Sequence, residues 1–177
     1  MPLNARGRAQ ARRVAARLAT VPIAAVYASP LARTLATARA IARPHGLAVR
    51  AEPALLDLDY GAWQGRTPKA VERADPALFR LWRERPALAR IPGGETLAQL
   101  ARRVTRLVAR LEHEWRGATV VLVSHDIVAR VLVARVLGLA LDHVWRLAPG
   151  TASITVIERR SRTLVVRRFG DTAHLDT

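Results

Sequence analysis

The chain has 177 residues, half of them apolar, which suits one compact domain and argues against disorder. It holds no cysteine, so a disulfide framework, a thiolate metal site, an iron–sulfur cluster and a cysteine nucleophile are excluded. The net charge is +15, but 28 of the 29 basic residues are Arg and only 5% of residues are aromatic. The excess therefore reads as GC-rich coding rather than as a nucleic-acid surface with stacking partners.

Asn4 can cap a helix over residues 5–19, with Ala11, Val14 and Leu18 on one face. Residues 23–28 are a short apolar run that stops at Ser29-Pro30, as a buried strand does before a turn. A helix over 31–43 ends at Pro44-His45-Gly46, and 47–51 reads as a short strand. Residues 52–94 are irregular, with short helices near 68–73 and 75–85 and a break at Pro92-Gly93-Gly94. The strongest helical signal covers 95–115, where Leu97, Leu100, Val104, Leu107, Val108 and Leu111 share a face. Arg102, Arg103, Arg106 and Arg110 fall on the other side and read as solvated surface. Residues 119–123 (TVVLV) are continuously apolar, as expected of a strand covered on both faces. A buried helix over 126–137 follows, and 153–158 with 163–168 read as a closing strand pair. His125, Asp126, Arg130, Arg135 and Asp142 interrupt the most apolar stretch, so no membrane span is expected. The alternation predicts a single α/β domain over 1–177, a three-layer α/β/α sandwich with a mostly parallel sheet.

Three strand ends carry polar groups, and in such sheets ligands gather at the carboxyl ends of strands. In Ser29-Pro30-Leu31-Ala32-Arg33, an Arg in a first helical turn suits a phosphate oxygen. In Ser124-His125-Asp126, the imidazole sits between buried strand and buried helix. Asp57 and Asp59, in Asp57-Leu58-Asp59-Tyr60-Gly61-Ala62-Trp63-Gln64-Gly65, could supply a general acid or form an Asx-type turn. The other histidines, His45, His113, His143 and His174, lack metal-ligand spacing, so neither a metal site nor a cofactor is expected. No G-x-x-x-x-G-K-[ST], G-x-G-x-x-G or G-x-S-x-G occurs.

Taken in order, these segments resemble the histidine phosphatase superfamily, the phosphoglycerate mutase-like family. Pro2-Leu3-Asn4 through Gly7 and Gln10-Ala11 is similar to its P-L-[ST]-x-x-G-x-x-Q-A stretch. Ala28-Ser29-Pro30-Leu31-Ala32-Arg33 with Thr37-Ala38 resembles S-S-P-L-x-R-x-x-x-T-A, and Asp57 to Gly65 resembles E-x-x-x-G-x-x-[EQ]-G. Pro92-Gly93-Gly94-Glu95-Thr96, Val123-Ser124-His125 and Asp171-Thr172-Ala173-His174-Leu175 resemble P-G-G-E-S, V-S-H and D-T-A-H-L. The first 51 residues are Arg-rich and acid-free, as a transit peptide is, but the resemblance matches residues 4–19 to the first helix of the family domain rather than to a cleaved address. It implies hydrolysis or transfer of small phosphate monoesters through a phosphohistidine. It also implies a small phosphorylated metabolite or inorganic phosphate as partner, with a homodimer left open, while the lack of Cys and of a signal peptide fits a cytoplasmic setting. Arg33, His125 and Ser124 become the phosphate-binding candidates, and His125 and Asp57 the catalytic ones. Asp57 replaces a Glu and so has about 1.5 Å less reach, which leaves Asp59 as a second candidate acid. Asp126 stands where the family commonly has Gly, either facing the anion or capping the helix. Residues 66–91 correspond to the loops that set specificity.

One element of the family pattern has no counterpart. The family nucleophile lies in an R-H-G at the end of a first strand, and no R-H-G occurs in these 177 residues. Its strand would lie beside residues 119–124, so the expectation is an unpaired apolar edge and little or no turnover. A misassigned start codon is the leading explanation. A non-catalytic phosphate-binding or interaction module is the alternative, with nucleic-acid binding behind both.

Overall fold

The computed structural model describes residues 1–176. Its helices are α1 (Ala5–Leu18), α2 (Ala32–Ala42), α3 (Pro68–Ala74), α4 (Pro76–Glu84), α5 (Leu97–Glu114) and α6 (Asp126–Val136). Its strands are β1 (Ile23–Ala28), β2 (Val49–Ala51), β3 (Thr119–Val123), β4 (Ile154–Arg160) and β5 (Thr163–Asp171). The order β2-β1-β3 forms a wholly parallel sheet, with Val26 opposite both Val49 and Val121. β4 and β5 form a separate antiparallel pair. None of the described helices is long and apolar enough to cross a membrane.

Four of the six helices begin at a side-chain cap supplied by the sequence. Asn4 accepts from Gly7 N at 2.8 Å, and Thr96 and Gln99 close a reciprocal capping box on α5. α1 and α2 cover one face of the sheet, burying Val14, Ala38 and Ile41 with Val26 and Ala28. α5 covers the other, burying Leu107 and Leu111 with Ala25 and Tyr27. α6 packs on α5 in a third cluster built on Leu97, Leu100, Val104 and Val131. This is the expected three-layer arrangement.

The run at 119–123 departs from expectation in degree. Its side chains do reach both layers, Val121 and Val123 on the α1/α2 side and Val120 and Leu122 on the α5 side. None is fully buried, because β3 ends the parallel sheet. β1, paired on both edges, holds the fully buried positions. The closing strand pair is likewise present but is not joined to the main sheet.

The segment between the sheet and α5 is held by aromatic packing. Trp82 of α4 meets Trp145 edge-on at 5.1 Å between ring centres and lies near Trp63 and Tyr60. Trp145 Nε1 also donates to Trp82 O at 2.9 Å. The loop carrying Asp57 is clamped to the Pro92 turn: Ala62 N donates to Pro92 O at 2.9 Å and Glu95 N to Asp59 O at 2.8 Å. Gly61 sits in this clamp at φ +45°, where a Cβ would come within 2.3 Å of Pro92 O. Gly61→Ala therefore combines a left-handed conformation with a backbone clash and should cost about 2–4 kcal/mol in urea unfolding. A cost under about 0.5 kcal/mol would mean that this loop is not clamped.

Candidate active site

The site forms where β1 and β3 end side by side. Ser29 N donates to Val123 O at 3.0 Å, carrying the parallel ladder one step past β1 and bringing Ser29 against the start of α6. Thr34 Oγ1 then ties the turn to α2 through Ser29 O at 2.8 Å and Leu31 O at 2.7 Å. This turn places Arg33 in the first turn of α2.

Arg33, Asp57 and His125 converge. Arg33 Nη2 lies 3.0 Å from His125 Nδ1 and 3.3 Å from Asp57 Oδ2, and Asp57 Oδ2 is 3.6 Å from His125 Nδ1. His125 Nε2 meets the Oγ of the fully buried Ser29 at 2.9 Å. A guanidinium has only donors, so it leaves Nδ1 as acceptor and assigns the ring proton to Nε2, which donates to Ser29 Oγ. Burial, then the Arg33 and Arg103 charges, lower the His125 pKa below its usual 6.5, against the pull of Asp57. The imidazole is thus neutral at pH 7. Tyr60 lies on the same side: burial, then Asp57 and Asp126, push its phenol up to about 12, so it stays a hydroxyl donor.

Four helices, α1, α3, α4 and α5, carry a side-chain cap from Asn4, Thr67, Asp75 and Thr96. The two that start at this site, α2 and α6, carry none. The N–H groups of Ala32 and Arg33 on α2 and the first-turn N–H groups of α6, with both positive dipole ends, are left for an outside acceptor, while Thr34 N donates to Leu31 O at 3.1 Å. Among the described residues no protein group takes Arg33 Nε or Nη1 either.

The structure therefore brings together three of the residues singled out in sequence, Arg33, His125 and Asp57. It turns Ser124 away, since its hydroxyl donates to Leu55 O at 2.7 Å. Asp59 takes the Asx-turn role, accepting from Gly61 N at 2.9 Å, and stays outside the cluster. Asp126 makes no cap hydrogen bond. Its carboxylate instead accepts from Arg130 Nε at 2.7 Å, and Arg130 lies over the Trp145 ring. Two contributors escape sequence reasoning. Ser29, part of a motif but not a candidate, fixes the ring. Arg103, read as solvated, pairs with Glu95 through Nε and Nη2, both at 2.8 Å, and donates to Ala54 O and Asp57 O. It holds the acid loop by its backbone. The only sequence signal was the Glu95 eight residues earlier, two helical turns away.

The lowered His125 pKa has a stability consequence. Above pH 6.5 the ring is neutral whether the chain is folded or not. As pH falls below that, the unfolded chain binds the proton first, so stability drops. Urea unfolding at pH 7 and pH 5 should show a smaller loss for His125→Gln than for the parent, and an equal loss would refute this assignment.

Comparison with known proteins follows the same lines. The histidine phosphatase superfamily (branch 1) profile matches residues 1–172. The chain is 34% identical to phosphoserine phosphatase 1 of Hydrogenobacter thermophilus over 173 residues, 98% of this chain and 82% of that protein. It is also 34% identical to a probable phosphoglycerate mutase GpmB of an Enterobacter species, over 99% of this chain and 84% of the relative. Among solved structures it is similar to YhfR of Bacillus stearothermophilus, with TM-score 0.94 and 30% identity over 98% of this chain and 87% of the other. It is similar, too, to a mycobacterial glucosyl-3-phosphoglycerate phosphatase in complex with inorganic phosphate, with TM-score 0.88 and 31% identity over 98% and 89%. With its motifs in order and its strand ends arranged as described, the chain belongs to the histidine phosphatase superfamily.

Proposed function

We propose that the cluster of Arg33, His125 and the two uncapped helix starts binds the phosphoryl group of a small phosphate monoester, in the lineage of phosphomonoesterases that work through a phosphohistidine. The observation that carries this reading is the selective absence of side-chain caps on α2 and α6, beside an Arg with free donors. Phosphorylated substrates named for the relatives, phosphoserine among them, suit such a cradle. Inorganic phosphate in the mycobacterial neighbour supports it as well.

His125 fits the role of charge neutraliser better than that of nucleophile. Its Nε2 is spent on a fully buried serine, and its Nδ1 is screened by Arg33. No other histidine among the described residues touches Arg33 or Asp57. These 177 residues therefore hold and polarise a phosphoryl group with little or no turnover, and Asp57 stands ready as the acid toward the leaving oxygen. Asp57 competes with an anion for Arg33.

Titration with inorganic phosphate tests this. Arg33→Ala should weaken binding by about 10–100-fold, as expected for losing a charge-assisted contact of about 1.5–3 kcal/mol. Asp57→Asn should tighten binding, because it removes the competing carboxylate. Phosphate affinity untouched by Arg33→Ala would overturn the site. With p-nitrophenyl phosphate the chain should stay near background. Robust turnover abolished by His125→Ala would overturn the non-nucleophilic role.

A further inference from the structure

α1 and α2 lie side by side on one face of the sheet, and a trough of about 570 Å³ runs between their C-terminal halves. Ala16 and Ala19 on the α1 side and Ala40 on the α2 side form an apolar floor. Arg12, Arg39 and Arg43 stand along it. All three are exposed, and among the described residues none meets a carboxylate. The first 51 residues hold no acid that could supply one. Arg13, one residue on from Arg12, is by contrast engaged, donating to Leu175 O. The trough lies where α1 leads into β1 and α2 leads toward β2, at the amino ends of those strands. Arg33 and His125 meet at the carboxyl ends, so the two places are distinct.

We infer that this trough docks one acidic amphipathic helix of a partner protein, with an aliphatic ridge on the alanine floor and carboxylates on Arg12, Arg39 and Arg43. Residues 12, 16 and 19 span about 10 Å at 1.5 Å per residue, the length of an i, i+4, i+7 ridge on a guest helix. Small floor residues let such a ridge come close. Carboxylates beside the ridge reach the guanidiniums, which bind them in two-pronged fashion. Other occupants fit less well. Insertion into a membrane surface needs large apolar side chains that reach past the charges. Those exposed among the described residues, Met1, Leu88, Leu137 and Val156, all lie outside the trough. A nucleic acid would find phosphate partners but no aromatic ring among the lining residues, and its backbone has no use for an apolar floor. A second copy of this chain carries the same charge of +15. The glutamates at the end of its α5, Glu112 and Glu114, already pair with Arg159, Arg50 and Arg110.

The probe is a fluorescein-labelled peptide of about 15 residues, bridged on its outer face to hold it helical, with Leu at i, i+4 and i+7 and Glu on both flanks. It is titrated into the 177-residue chain at about 0.15 M salt and read by anisotropy. Saturable binding is expected. Arg12→Glu with Arg43→Glu should weaken it about tenfold or more, whereas Arg102→Glu with Arg106→Glu, the same charge change on the exposed side of α5, should cost less than about twofold. Ala16→Trp fills the trough without changing charge and should also weaken binding about tenfold or more, with thermal unfolding nearly unchanged because residue 16 is exposed. A peptide of the same composition with its leucines scattered around the helix should bind about tenfold more weakly. No saturable binding, equal binding of the scattered peptide, or an equal loss in the α5 variant overturns the proposal. Phosphatidylserine vesicles or duplex DNA that bind in a manner abolished by Ala16→Trp would assign the trough to a membrane or a nucleic acid and also overturn it. None of these readouts involves a phosphate ester in the Arg33 site, so their failure is separate from failure of that site.

Discussion

The ladder bond from Ser29 N to Val123 O does more than lengthen a strand pair. It aligns the ends of β1 and β3, and each strand passes within a few residues into a helix. Two helix starts thereby converge, with the imidazole of His125 on one and the guanidinium of Arg33 on the other. The buried Ser29 hydroxyl turns the ring, so one nitrogen is committed to the interior and the other to the site. Positive field, neutral acceptor and charged donor thus follow from one register.

The third participant arrives by a longer route. Asp57 is brought up by a loop with little regular structure, fixed by Arg103 and Glu95 at one end and the Pro92 turn at the other. Charge that looks superficial in a helical wheel is here an interior strut, since both partners are mostly buried. The acid is held by backbone contacts rather than by its own packing. A carboxylate can then pair with Arg33 and still be free to exchange that partner for another.

Much of this was legible because it is local. The runs at 23–28 and 119–123 and the stops that follow them identify β1 and β3 to the residue. The periodicity of Leu97, Leu100 and Val104 reveals α5, though its ends fall one or two residues inside the expected range. Arg33, His125 and Asp57 were recoverable because each stands at a strand end or glycine-framed turn. Other facts depend on separations that no local pattern encodes. Arg103 acts on a carbonyl 46 residues away, and Ser29 acts on a ring 96 residues away. The rotation of Ser124 toward Leu55 is equally invisible until the chain has closed. The partial burial of β3 depends on what stands beside it, not on its own composition.

The aromatic cluster around Trp82 couples stretches that lie far apart in the chain. Trp82 belongs to α4, Trp63 and Tyr60 to the acid loop, and Trp145 to the connection after α6. With Trp145 hydrogen-bonded to the Trp82 backbone, these three stretches form one stiff wall and not a hinged flap. A substitution that displaces the Trp82 ring therefore disturbs all three stretches at once.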